Sequence, residues 1–295
     1  MSNWSKPNTW VKPTPMILQD QLKDVLFFDI ETTTRYKTYA EYVEREPFMA
    51  KEFARRSVET YTDLTVEQAY FEKGMLHPEH AQVVSIAWKL WDSESKTFMD
   101  ETIGFSSWDE FEYCQGPHAD RDILIRFNNR LKEMFEDHFV VMGGYRIKGF
   151  DIEFLFNRMR VCGLEPQISL WECLKKSWDN RHLDIKDFWP SSKGMSSFGM
   201  ICELIGVPNS KEGGISGSEV CFRFWDDHAV EMINEYCMDD VHAVTKLAIM
   251  LSTEKLKSRE NQTLTEWEEW KKERDTHLEN IRIQKEKESG NEVGE

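Results

Sequence analysis

Four carboxylates in three separated segments have the types and spacing to hold metal ions. Asp29 and Glu31 lie in Phe28-Asp29-Ile30-Glu31-Thr32, at the end of the apolar run Val25-Leu26-Phe27-Phe28. Asp151 closes Lys148-Gly149-Phe150-Asp151, and Asp240 follows Tyr236 by four residues in Tyr236-Cys237-Met238-Asp239-Asp240. Carboxylates are hard oxygen ligands that bring negative charge, as Mg²⁺ requires. Acids converging from several elements can hold two divalent cations for the hydrolysis of a phosphodiester, and no single element could supply them all.

Each fragment alone has a plainer reading. Asp29 and Glu31, two apart on a strand, point to one face, but that spacing arises readily by chance in a chain this acidic. An acid at a helix start, like Asp151, is often only a cap for free N–H groups. The apolar Phe154-Leu155-Phe156 that follows turns this helix inward and sets Asp151 at a sheet edge. Tyr236 and Asp240, i and i+4 on a helix, share a face, so the phenol can orient a water beside a metal-holding carboxylate. The plain alternative is a packed tyrosine and an exposed acid. Asp239 is also near, and Asp240 is preferred for its spacing. Three such fragments, in order and on the right types of element, make one combined signal.

The chain has 295 residues, enough for one large domain or two small ones, and its 40% apolar content suffices for a core. A net charge of −16, from 37 basic against 53 acidic residues, argues against a broad basic surface that coats nucleic acid. It is compatible with gripping a few nucleotides at one end, where bound cations offset local charge. The six cysteines form no C-x-x-C pair, which argues against structural zinc and a disulfide framework. With no signal-like or membrane-length apolar run, a cytoplasmic protein without membrane contact is expected.

Those carboxylates need elements to carry them. Val25 to Asp29 reads as a strand buried on both faces. Strands are expected at Val83–Trp91 and Thr97–Phe105, joined through 92–96, then at Phe139–Met142 (closed by Gly143-Gly144) and Leu183–Phe188. Helices are expected at Tyr39–Arg56, Thr65–Gly74, Arg121–Phe135, Ile152–Val161, Ser196–Ile205 and Ala229–Met250. This order predicts an α/β layer fold with a mixed sheet flanked by helices. The expected organisation is an extended, proline-bearing arm over 1–20, a domain over 21–252 with a helical insert at about 33–80, and a charged helical extension over 253–295. Thr263 with Glu266 reads as a capping box opening that last helix, and 287–295 as disordered.

With these residues in view, the chain resembles the DEDD exonucleases of the ribonuclease H-like superfamily, in the subgroup with a tyrosine in the last motif. More closely, it resembles the predicted 3′–5′ exonucleases related to the proofreading domain of B-family DNA polymerases. Asp29 and Glu31 match the first motif, Asp151 the second, and Tyr236 with Asp240 the third. The match also takes in His182-Leu183-Asp184, Ser197-Phe198-Gly199, Glu203-Leu204-Ile205-Gly206-Val207-Pro208 and Gly217-Ser218-Glu219-Val220. The resemblance implies a ribonuclease H-like fold and release of 5′-mononucleotides from a DNA 3′ end, single-stranded or frayed. It implies two divalent ions, Mg²⁺ or Mn²⁺: Asp29 bridges them, Glu31 and Asp240 help hold the first, Asp151 supports the second, and Tyr236 positions the water. Thr32, Thr33 and Phe150 are the implied contacts to the terminal nucleotide, with Leu155 or Phe156 weighed as base-packing residues against a core role. Asp184 is a supporting residue behind the site or a structural strand residue.

The chain departs from that pattern at two places. Tyr145 and Arg146 stand where relatives read His-Asn; Arg146 either grips a phosphate as a charged fork or lies idle on the surface. Ser216 stands where relatives carry Asp. About 45 residues remain after Leu251, so proofreading is expected in trans, with a DNA polymerase or other replication protein as partner. His77-Pro78-Glu79-His80 reads as a loop rather than a metal cluster, and the glycine-rich 213–218 lacks the lysine of a phosphate-binding loop. Lys175, Lys176, Arg181, Lys186 and Lys193, with Trp171, Trp178 and Trp189, suit a single strand or are solvated lysines over buried tryptophans. An exoribonuclease, and a non-catalytic replisome-binding module on the same fold, are the alternatives.

Overall fold

Ten residues, Val25–Thr34, form the central strand β1, and both of its faces are covered. The side chains alternate as a strand requires. Leu26, Phe28 and Ile30 enter one apolar cluster, while Val25 and Phe27 enter another on the opposite face. The strand continues past the two acids where the sequence suggested an end. Thr32, Thr33 and Thr34 are β-branched, which suits a strand. Their hydroxyls find partners inside the protein: Met75 O at 2.8 Å, Cys221 Sγ at 3.3 Å and Tyr36 O at 2.9 Å. This is a computed structural model, and it describes residues 19–137, 140–174, 182–189, 197–208 and 215–252. Residues 1–18 of the expected arm, most of the basic stretch and the charged extension from 253 lie outside the described residues.

Helices α1 (Tyr39–Arg45), α2 (Pro47–Thr60) and α3 (Val66–Lys73) follow β1 and make up the insert. The first two were expected as one helix. Pro47 occupies the first turn of α2, where its missing N–H costs nothing, and so starts a new helix there. A stack of Tyr36, Tyr42, Phe53 and Tyr70 makes the core of this insert. Strand β2 (Ala81–Asp92) returns antiparallel to β1, and β3 (Thr97–Gly104) pairs with β2 through a turn in which Asp92 accepts from Glu94 N and Ser95 N.

The chain then forms α4 (Trp108–Cys114), α5 (Arg121–Asp137), β4 (Val141–Gly144), α6 (Asp151–Val161), α7 (Ile168–Leu174) and β5 (His182–Asp184). It ends with α8 (Phe198–Ile205), α9 (Val220–Trp225) and α10 (Val230–Leu251). The short helices α4, α7 and α9 were not legible as elements. The expected fifth strand is three residues long and gives way to a 3-10 turn at Ile185–Phe188. Sheet order is β3-β2-β1-β4-β5, with β4 and β5 parallel to β1. Helix α10 covers β1, β2 and β3 on one face, and α5 and α6 lie on the other, so the architecture is a mixed sheet flanked by helices.

Gly143 and Gly144 belong to β4 and do not merely terminate it. A Cβ on Gly143 would stand 2.3 Å from Val25 Cγ1, and one on Gly144 would stand 2.9 Å from the Phe28 carbonyl. Their absence of side chain lets β4 lie against β1 where α6 must enter. Helix α6 is anchored at depth by Arg158, which pairs with Asp120 at 2.7 and 2.8 Å with both side chains fully buried. Asp120 also accepts from Val83 N of β2. Arg158→Met leaves Asp120 buried without its counter-charge. We expect a loss of about 3–5 kcal/mol in urea unfolding; an unchanged midpoint would remove this anchor.

Candidate active site

Strands β1 and β4 pair only through Val25, Leu26 and Phe27. Beyond Phe27 they part, and the crevice at the carboxyl end of a parallel strand is where open α/β sheets bind ligands. Ile30 N, left without a partner strand on that side, donates instead to Asp151 Oδ1 at 3.2 Å. Asp151 is the buried first residue of α6, so the opening between strands is closed by the helix start. Asp29 and Glu31 sit just beyond the parting point, ahead of a register shift between Glu31 and Thr32.

Helix α10 brings the last acid. Its inward residues Cys237, Val241, Val244 and Leu247 pack on the β1 face that carries Val25 and Phe27. That packing sets Asp240 beside Asp29 and Glu31, and one ligand oxygen from each lies within 4.8 Å of the others. Among the described residues this is the only group of three or more acids, histidines or cysteines arranged so, and Asp239 is not a member. Tyr236, one turn earlier, shares a hydrogen bond with Asp240. Cys237 Sγ donates to the Asp29 carbonyl at 3.5 Å.

The electrostatics follow from burial and like charge. Burial first, then the charges of Asp151, Asp240 and Glu31, hold the Asp29 carboxyl well above its usual range. Glu31 is raised well above its usual range by burial and then by Asp240 and Asp151. Burial pushes Asp151 up to about 7, against the lowering effect of the N–H groups of Asp151 and Ile30. The Tyr236 phenol is raised by burial and by the same acids, so it remains a donor at neutral pH. Three oxygen ligands crowded at one point, with Asp29 and Glu31 resisting ionisation, fit a hard cation that would neutralise them.

The other expected residues fall in distinct places. Asp184 Oδ1 accepts from Arg146 N at 2.8 Å and from Lys186 N at 3.0 Å. It thereby holds Arg146 in a left-handed conformation, φ 61°, in the loop that leads to Asp151. Arg146 itself is exposed. Tyr145 packs its ring on Phe198, 4.9 Å between centroids. Thr32 and Phe150 line a pocket of about 270 Å³, whereas Thr33 is fully buried with its hydroxyl on Cys221. Leu155 is core, and Phe156 lies against Trp171. Ser216 forms a turn with Glu219, and His77 and His80 are engaged by Tyr61 and Tyr42 at 2.9 and 2.7 Å. Sequence reasoning missed the pocket's other wall, Glu72, Lys73, Met75 and Leu76. No spacing marks them, because the insert meets β1 only in the folded chain.

The mixed sheet thus parts beside a cluster of three acids. Residues 81–288 match the family described as predicted 3′–5′ exonucleases related to the exonuclease domain of PolB, and the chain belongs to that family. The match begins at the first residue of β2, so Asp29 and Glu31 precede it and join Asp240 through the fold. A search of curated proteins gave no match. Among solved structures, E. coli exonuclease I in complex with a 5cy-dA13 oligonucleotide is similar at 16% identity and a TM-score of 0.33. That similarity covers 81% of this chain and 41% of the other, so the chain spans less than half the length of that protein. No helix among the described residues is long and apolar enough to cross a membrane.

The charge state of the cluster has a measurable sign. Asp29, Glu31 and Asp151 bind protons more tightly folded than unfolded, so stability falls as pH rises from the ordinary carboxylate range through about 7. In a chelator-treated sample the melting temperature should fall between pH 5 and 8. Asp240→Asn should raise it at pH 8 by about 2–4 °C, equivalent to about 1 kcal/mol in a domain of this size. A melting temperature lowered by Asp240→Asn would mean that the acids stabilise the fold rather than strain it.

Proposed function

We propose that this protein is a metal-dependent 3′–5′ exonuclease that releases 5′-mononucleotides from DNA. The observation that carries this reading is that Glu31 belongs both to the acid cluster and to the lining of the adjoining pocket. A nucleotide in the pocket would thus present its phosphate to the acids. Asp29, Glu31 and Asp240 would hold one divalent cation, Mg²⁺ or Mn²⁺, and Asp151 would help hold a second. Such ions lower the pKa of a water and stabilise charge on the leaving 3′ oxygen.

The chain's own groups do the rest. Tyr236 stays protonated and bonds Asp240, so its phenol orients a water next to that carboxylate. Thr32 fixes the pocket floor through its bond to the Met75 carbonyl, and Phe150 offers a ring to the base. Arg146 is read as a phosphate contact for the strand beyond the pocket, and Asp184 as the residue that holds its loop. The relation to PolB's exonuclease domain is the reason to propose editing of 3′ ends in trans, with a polymerase or other replication protein as partner.

The test is cleavage of 5′-labelled single-stranded DNA, matched and 3′-mismatched duplex, and RNA, each with Mg²⁺, Mn²⁺ or chelator. A metal-dependent ladder shortening from the 3′ end is expected on DNA, and Asp29→Ala should reduce it to background. Full activity in Asp29→Ala would sink the metal assignment, and a ladder on RNA alone would make the protein an exoribonuclease. Folded protein that cuts nothing would favour the non-catalytic module. Tyr236→Phe should lower kcat on the order of 100-fold, the lower end for a positioned acid–base group, while leaving cation binding by calorimetry intact. An unchanged rate would remove the phenol from the chemistry.

A further inference from the structure

The pocket beside Glu31 has one wall that the acid-bearing elements do not supply. Its floor is Ile30, Glu31 and Thr32 of β1, and Phe150, Gly217 and Ser218 also line it. The remaining wall is the corner between α3 and the 3-10 turn Gly74–Leu76, which contributes Glu72, Lys73, Met75 and Leu76. We propose that this corner of the insert selects the substrate, with Leu76 packing on the terminal base of a single DNA strand and Lys73 meeting its phosphate. The inference rests on the exonuclease reading and adds to it the residues that choose which end is accepted.

The corner is seated on β1 as a fixed wall. Thr32 Oγ1 donates to the Met75 carbonyl at 2.8 Å, and Met75 is buried in the sheet core. A Cβ on Gly74 would lie 3.3 Å from both Thr34 and Tyr70, so the turn sits tightly between strand and helix. Behind it, the Tyr61 hydroxyl bonds His77. Leu76 nevertheless stays 44% exposed while its neighbour Met75 is 6% exposed. An exposed leucine on a rigid corner, lining a pocket with Phe150, offers apolar surface that a base of any identity would bury.

Charge and size point to the same occupant. Lys73 is the only cation among the described residues lining the pocket, alongside Glu31 and Glu72. Its side chain is 39% exposed, and its one ion pair among the described residues, with the adjacent Glu72, spans 4.0 Å. A phosphate is the anion it would meet next to a cluster that receives one. About 270 Å³ gives room for one nucleotide and none for a base pair, so the wall favours an unpaired end.

The test is steady-state degradation of 5′-labelled single-stranded DNA with Mg²⁺ at several salt concentrations. It compares wild type with Leu76→Ala, Lys73→Ala and Lys73→Arg. Val58→Ala, exposed on α2 and outside the pocket, is the control. Leu76→Ala should raise KM about tenfold, the lower end for loss of a buried leucine side chain, with kcat within about twofold. Lys73→Ala should raise KM and reduce the slope of log KM against log salt by about 0.7, the loss of one phosphate contact to a single strand. Lys73→Arg should restore the slope, and Val58→Ala should match wild type. Wild-type KM and salt slope in both alanine variants of an active enzyme would overturn this inference alone. A wild type that degrades no DNA with any divalent cation would overturn the exonuclease reading and this inference with it.

Discussion

The site depends on carboxylates held together against their own repulsion. Asp29, Glu31 and Asp240 bring ligand oxygens within 4.8 Å, and Asp151 is close enough to raise the pKa of the first two. Burial and like charge act in one direction, so the arrangement lowers the stability of the cation-free protein. It persists because the surrounding structure fixes each acid through backbone that has little freedom to move. The same repulsion would be relieved by a divalent cation bound among the acids.

Each acid is tied to a different layer. β1 carries Asp29 and Glu31 between two apolar clusters, so it cannot shift register without exposing Leu26 and Phe28 or Val25 and Phe27. α10 is pinned over the sheet by Cys237, Val241 and Leu247, which leaves Asp240 one orientation. α6 has two ties: its first residue accepts from Ile30 N, and Arg158, two turns on, joins Asp120 and through it Val83 of β2. The loop before α6 is held in turn by Asp184 from β5. The glycines of β4 complete this frame, since a side chain at either would push β4 from β1 where the acids gather.

Much of this was legible because it is local. The apolar run before Asp29, the helical periodicity of α5, and the i, i+4 spacing of Tyr236 and Asp240 mark elements and faces directly. β1 was read too short because polar threonines look like a strand end until their hydroxyls are seen to bond Met75, Cys221 and Tyr36. α4, α7 and α9 have six or seven residues, too short for a period to show. The Asp120–Arg158 pair and the insert's wall at Lys73 and Leu76 are unions of distant segments. Charged residues 38 apart carry no sign in sequence that they will share a core.

The two positions where this chain departs from the resembled pattern respond differently to the same geometry. Tyr145, in place of His, packs on Phe198 and Arg146 lies near its ring, so that position is absorbed into the body of the protein. Residue 146 is left-handed, at φ 61°, and its N–H is taken by Asp184. Asparagine adopts that conformation readily. Arginine has no such preference, so the backbone here gains nothing from it and bears some strain. A costly conformation kept with an exposed guanidinium, five residues before Asp151, needs a reason in the side chain. The partner the structure shows for that side chain is the Tyr145 ring, 6.0 Å from the guanidinium.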